Sequence, residues 1–134
     1  RNFLTEWEEV VVRDRNHPSI IMWTPFNETW DRPKNLEAAR FHDRLVSDVY
    51  DLTKNVDYRP VHDVSGGYHV KTDIWSYHNY EQDAAKLKEK QTLNKEGEVP
   101  TLNKDCEEPY GGQPYFLDEY GGIKWVIEQY AANT

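Results

Sequence analysis

Residues 20–30 read Ile20-Ile21-Met22-Trp23-Thr24-Pro25-Phe26-Asn27-Glu28-Thr29-Trp30, an apolar run closed by an amide and a carboxylate, with a tryptophan two residues on. Continuous apolar residues from Ser19 to Thr24 are expected of a strand in a parallel sheet, covered on both faces. A carboxylate just past such a strand is costly, because burial disfavours its ionised form and leaves its oxygens in need of partners. That cost is tolerated where the carboxylate is used.

Working outward, Phe3, Leu4, Trp7, Val10 and Val11 fall at helical spacing, and Thr5 with Glu8 has the spacing of a capping box. This helix is expected to end near Asp14. Asn16-His17-Pro18 forms a turn, since proline disfavours the helical conformation at His17. Leu36, Ala39, Leu45, Val46, Val49 and Leu52 mark a second helix, roughly from Asn35 to Lys54. Arg59 to Val64 and Asp73 to Tyr77 read as strands, with Gly66-Gly67 breaking the chain between them and no room for a full helix. Asp83 to Gln91 reads as a charged, exposed helix. Lys95 to Gln113 is a loop rich in Gly, Pro, Glu and Lys. A fourth strand is expected at Tyr115 to Leu117, and Ile123, Val126, Ile127 and Tyr130 give a last amphipathic helix.

Strands alternating with helices imply an α/β architecture with a parallel sheet. Four strands in 134 residues make either about half of a (β/α)8 barrel, which typically needs about 250 residues, or a small open sheet. The whole chain, 1–134, reads as one partial domain.

Composition narrows the partners. A net charge of −8 argues against nucleic acid, because phosphate binding needs a basic patch and none appears. No apolar run approaches the ~20 residues of a membrane span, so no membrane partner is expected. The single Cys106 excludes an internal disulfide. The five histidines lack H-x-x-x-H spacing and there is no C-x-x-C pair, so neither a metal nor a cofactor is expected. Five Trp, nine Tyr and four Phe are many for so polar a chain. They serve either as core or as flat platforms for sugar rings.

In parallel α/β folds chemistry sits at the C-terminal ends of strands. Those ends carry Asn27-Glu28, His62-Asp63, His78-Asn79-Tyr80 and Asp118-Glu119-Tyr120. Two glutamates, each just past a strand, form the kind of pair that hydrolyses a glycosidic bond. One protonates the leaving oxygen while the other attacks the anomeric carbon or activates water. Acidic dipeptides at strand ends are common, so spacing alone leaves this beside a purely structural reading. His62 and Asp63 read as structural hydrogen-bonding groups, His17 as a turn residue, and His42 as a surface residue on its helix.

The segment "RDRNHPSIIMWTPFNETW" (Arg13 to Trp30) resembles the acid/base segment of glycoside hydrolase family 2, the β-galactosidase and β-glucuronidase family. "QPYFLDEYGG" (Gln113 to Gly122) resembles that family's nucleophile segment, and "YRPVHDVSGG" and "TDIWSYHNY" resemble the strands between them, in the same order. The resemblance implies a TIM-barrel segment covering about strands four to seven of eight. It implies Glu28 as general acid/base, Glu119 as nucleophile and Asn27 as a ligand of the sugar 2-hydroxyl. Tyr80 matches the tyrosine that hydrogen-bonds the nucleophile, with His78 or Asn79 as alternative sugar contacts, and Trp30 is the expected sugar platform. Thr24-Pro25-Phe26 departs from the more usual Ser-x-Gly before Asn-Glu, which alters the cleft wall.

The expected activity is that of a retaining, β-galactosidase-like glycosidase core acting on a β-glycoside by double displacement, with carboxyls about 5–5.5 Å apart. A non-catalytic carbohydrate-binding piece, an inert fragment and a related barrel endoglycanase stand as the alternatives. The raw edges of a cut barrel also predict pairing with a second copy, and the isolated piece is expected to be inactive.

Overall fold

The structure is a computed structural model that describes residues 2–29, 36–92 and 109–122. Its first helix, α1 (Phe3–Asp14), starts where Asn2 accepts a hydrogen bond from the Leu4 amide at 3.2 Å. Asn2 is therefore the cap, and Thr5 and Glu8 lie inside the helix rather than forming a capping box. The helix stops at the expected place. His17 N–H returns to the Asp14 carbonyl at 2.9 Å, and Pro18 follows.

Pairing around the opening stretch is shorter than its apolar character suggests. Trp23 is bridged to Val61, and a parallel strand β1 (Phe26–Asn27) pairs with its later partner in the same register. Ser19 to Met22 lie outside the ladder, and Ile21 is 76% exposed. Two prolines explain this. Trp23 N–H reaches the Pro60 carbonyl at 3.0 Å and the Trp23 carbonyl accepts from His62 at 2.9 Å, but Pro60 has no N–H for the rung below. Pro25 likewise lacks the donor for the rung above, and pairing resumes at Phe26.

The second helix, α2 (Leu36–Val56), runs two residues past the expected end. It buries Ala39, Val46, Val49 and Thr53, one helical stripe. Each fully buried valine stabilises by about 1.5–3 kcal/mol relative to exposure. Trp7 Nε1 donates to Thr53 Oγ1 at 2.8 Å, and Val11 on α1 is fully buried, so the two helices pack together. Phe3 stacks on Phe26 at 5.3 Å and Trp7 meets Trp23 edge-on at 6.1 Å, which seats α1 over the strand that leads to Glu28. His42, expected on the surface, is instead packed beneath Tyr68, whose hydroxyl lies 2.7 Å from its Nδ1.

The partner of β1 is β2 (Val64–Ser65), and β3 (Trp75–Asn79) pairs in parallel with β4 (Tyr115–Tyr120). β3 begins two residues later than expected because Asp73 is a tie rather than a strand residue. Its carboxylate takes bonds from Tyr50 at 2.7 Å, Val61 N–H at 2.9 Å and Lys54 at 3.1 Å. β2 and β3 share no ladder; side chains join them, with Ser76 Oγ 2.6 Å from His62 Nε2 and accepting from Gly66 N–H at 3.2 Å. Helix α3 (Ala84–Gln91) follows β3, capped by Asp83, which accepts from the Ala85 and Lys86 amides. It buries nothing, as its charge predicts. Most of the Lys95–Gln113 loop and the last predicted helix lie outside the described residues. No described helix is long and apolar enough to cross a membrane.

The link between β2 and β3 is held from within. Asp63, fully buried, accepts from His69 Nδ1 at 2.7 Å and from the amides of Val64, Val70 and Lys71 at 2.7, 2.7 and 3.1 Å. The structural reading of Asp63 and His62 holds. Asp63→Asn keeps the shape but turns an acceptor into an NH2 facing amide donors. It should cost about 3–5 kcal/mol in urea unfolding; a loss under about 1 kcal/mol would show that the link does not depend on this carboxylate.

Candidate active site

Glu28 stands immediately after β1 with φ of 50°, a left-handed conformation that a non-glycine residue adopts at a cost of about 1–2 kcal/mol. Its amide is held by the Ser65 carbonyl at 2.7 Å. The turn re-aims the side chain towards β3 and β4, where Glu28 Oε1 meets His78 Nδ1 at 2.9 Å.

On the far side, β4 carries an irregularity. Ser76 pairs with Phe116 and His78 with Glu119, so two steps along β3 oppose three along β4. The extra residue is a bulge, a device that redirects side chains beside active sites. Successive strand residues normally face opposite ways, yet Asp118 and Glu119 both reach the same cluster. Asp118 Oδ2 accepts from Ser65 Oγ at 2.6 Å, while Glu119 accepts from the Tyr80 hydroxyl and lies 3.6 Å from His78 Nε2. One side-chain atom from each of Glu28, His78 and Glu119 fits within 4.8 Å of the others.

Two glycines shape the cluster. At Gly66 (φ 61°) an added Cβ would come 2.2 Å from the ring of His78, and at Gly122 (φ 57°) it would come 2.7 Å from the ring of Tyr80. Both rings therefore lie flush against bare backbone.

The structure thus brings Glu28, Glu119, His78 and Tyr80 together. Asn27 is exposed on β1 beside them. Asn79 is nearly buried and its Oδ1 accepts from the Glu81 amide at 3.0 Å. His78 has a fully buried side chain, with Nδ1 on Glu28 and Nε2 3.0 Å from Ser65 Oγ. Trp30 lies outside the described residues. Glu28, His78 and Glu119 are also the one group of donors close enough to grip a cation among the described residues. Both ring nitrogens of His78 are already engaged, so the cluster reads as hydrogen-bonded rather than liganding.

Sequence reasoning missed Ser65 and gave Asp118 no role. The signal for Ser65 was a hydroxyl at a strand end just before two glycines. Nothing in the sequence announces a bulge, so nothing pointed Asp118 inward beside Glu119. Electrostatically the site is acidic. The Tyr80 phenol is pushed up to about 12, first by its hydrogen bond to Glu119 and then by burial and the surrounding carboxylates. It is therefore a neutral donor at ordinary pH. Burial pushes His62 down, against the pull of Asp118.

Residues 1–124 match the family described as Glycosyl hydrolases family 2, TIM barrel domain. Over 46 residues the chain is 39% identical to a beta-glucuronidase of Chlorocebus aethiops, a match that covers 34% of this chain and 7% of that protein. The matched segment is thus a small part of that relative's length.

Gly66→Ala should destabilise by about 2 kcal/mol or more, because it adds a clash with His78 to the left-handed backbone cost. Gly112→Ala, at φ 87° with nothing within 4 Å of the new Cβ, should show the backbone cost alone. Equal losses from the two in thermal unfolding would remove the packing role of Gly66. For Tyr80 the folded value is raised from 10.0 to about 12, so its bond to Glu119 contributes fully below about pH 10 and is lost as pH rises through about 12. Subtracting the alkaline phenolate titration of Tyr80→Phe from that of the parent should isolate this late step; an ordinary step near pH 10 would show no such bond.

Proposed function

The chain belongs to family 2 of the glycosyl hydrolases, and from that premise we propose that it supplies the catalytic centre of a retaining β-glycosidase. Glu119 is the nucleophile and Glu28 the general acid/base. The observation that carries this is the closeness of the two carboxylates, one just past β1 and the other on β4, with an oxygen of each within 4.8 Å. Direct attack on the anomeric carbon needs carboxyls about 5–5.5 Å apart, whereas inversion needs about 6.5–9.5 Å to admit a water.

In the first step a Glu119 oxygen bonds the anomeric carbon as the glycosidic C–O bond breaks, and Glu28 gives its proton to the leaving oxygen. In the second, water attacks the same carbon, Glu28 takes its proton, and the bond to Glu119 breaks. Tyr80 steadies Glu119 by donating to the oxygen that does not attack. Asn27, exposed beside Glu28, takes the sugar 2-hydroxyl, and Trp30 lies three residues beyond it in sequence as a platform for the ring. The substrate is a β-glycoside; the relative named above is a beta-glucuronidase, and the Phe26 ring, expected from the sequence to alter the cleft wall, faces α1 instead, stacked on Phe3. On this reading the chain is a wall section of a (β/α)8 barrel, strands four to seven. It needs the remaining strands, or a second copy, to cover its edges.

The two glutamates are separable by experiment in the protein that carries this chain. Glu119→Ala should abolish turnover, with added azide restoring release of the aglycone and giving an inverted glycosyl azide. Glu28→Ala should lose about 10²–10⁴-fold on phenyl glycosides and far less on dinitrophenyl glycosides, whose leaving groups need no proton. Near-normal rates for Glu119→Ala would place the nucleophile elsewhere.

A further inference from the structure

Hydrogen positions around His78 follow from the groups that face it. Ser65 Oγ lies 2.6 Å from Asp118 Oδ2 and 3.0 Å from His78 Nε2. A hydroxyl has one hydrogen, and a carboxylate at this distance is the stronger acceptor, so Ser65 donates to Asp118. Towards His78 the same oxygen is then an acceptor, which puts a hydrogen on Nε2. On the other side of the ring, Nδ1 sits 2.9 Å from Glu28 Oε1. Two lone pairs do not hold that distance. A proton lies between them, either on Glu28 and given to a neutral ring, or on the ring and given to a carboxylate.

We propose that His78 is a positioning residue that shares one proton with Glu28, and that the Asp118–Ser65 relay behind it keeps that proton on the Glu28 side of the ring. The proposal rests on the reading of Glu28 as the acid/base. Its surroundings favour retention of the proton. Glu28 faces the ring from the end of β1, Asp118 Oδ1 at 3.5 Å and Glu119 Oε1 at 3.6 Å face it from β4, and the Tyr80 ring crosses it at 6.4 Å from the end of β3. From the approach to β2, His62 Nε2 lies 3.8 Å from the same Asp118 carboxylate. Gly66 lets the ring sit where it touches Glu28 and Ser65 at once, since any Cβ there would overlap it.

The proton balance closes over the two steps. Glu28 loses the shared proton to the leaving oxygen, leaving a carboxylate beside a ring still protonated at Nε2. When water attacks, its proton returns to Glu28 and the pair is loaded again. The shared proton is held by two acceptors rather than one, so removing it also breaks the hydrogen bond between them.

The test uses the protein that carries this chain, with kcat/KM measured against pH on phenyl and dinitrophenyl β-glycosides. His78→Gln keeps the bulk but offers Glu28 an N–H donor instead of a proton acceptor. It should move the alkaline limb for phenyl substrates to lower pH and cut kcat/KM about tenfold or more, while dinitrophenyl substrates change little. Ser65→Ala, which leaves the ring in place but frees its tautomer, should move the same limb in the same direction by less. An unmoved limb in both variants, or equal losses on both leaving groups, would overturn the proposal. Glu28→Ala is the control that separates the two readings: if it hydrolyses phenyl glycosides normally, the acid/base assignment fails, and the role of His78 with it.

Discussion

The buried pair of Asp63 and His69 is the tie on which the arrangement of strands depends. Both side chains are fully buried. An isolated carboxylate there would be prohibitive, so it persists because its oxygens accept from three backbone amides and one imidazole. Those amides belong to Val64, at the start of β2, and to Val70 and Lys71, in the link towards β3. His69 continues the tie: its Nε2 is 3.0 Å from Ser76 N and 3.1 Å from Ser76 O. Crossover connections between parallel strands usually contain a helix. Here a nine-residue link without one sets β3 beside β2, and a buried histidine–carboxylate hydrogen bond takes over the job of fixing the spacing. Ser65 and His78 meet only because that spacing is held.

What the sequence made legible was the part governed by periodicity and by chain ends. Both long helices announce themselves through apolar spacing, and the strand-end positions of Glu28, His78, Tyr80 and Glu119 follow from the alternation of strands with helices. Less legible was anything decided by a single backbone hydrogen bond. Ser19 to Met22 look like the best strand in the chain, yet Pro60 on the opposite strand withholds one donor and the ladder stops at Trp23. Asn2 takes the cap that Thr5 and Glu8 seem to offer, since capping depends on where the chain first turns helical rather than on spacing. Asp73, written as the first residue of a strand, spends its carboxylate on Tyr50, Lys54 and Val61 instead.

The site itself shows the same division. The residue types were visible, but their convergence needed two local departures from regular geometry: the left-handed turn at Glu28 and the bulge before Glu119. Neither has a sequence signature. Glu28 is not a glycine or an asparagine, and no glycine marks the bulge. Departures of this kind cost about 1–3 kcal/mol each and persist where surrounding structure over-determines them. Here the over-determination is the Ser65 carbonyl on the Glu28 amide, and the β3 ladder on both sides of the bulge.

Bringing two carboxylates within 4.8 Å has its own cost. Were both ionised, Coulomb repulsion at an effective dielectric of 20 would be about 3 kcal/mol, reduced by solvent because the side chains are 32% and 40% exposed. The cluster relieves it unequally. Glu119 receives a hydroxyl from Tyr80, a phenol that keeps its proton well into alkaline solution, and this favours the carboxylate. Glu28 receives an imidazole nitrogen whose opposite nitrogen already carries a hydrogen towards Ser65, and this favours one retained proton between carboxyl and ring. Two like residues thereby meet different partners, an imidazole at Glu28 and a phenol at Glu119. On the proposed reading, an acid and a nucleophile made from the same amino acid need that difference, and the histidine and tyrosine at the end of β3, two residues apart, supply it.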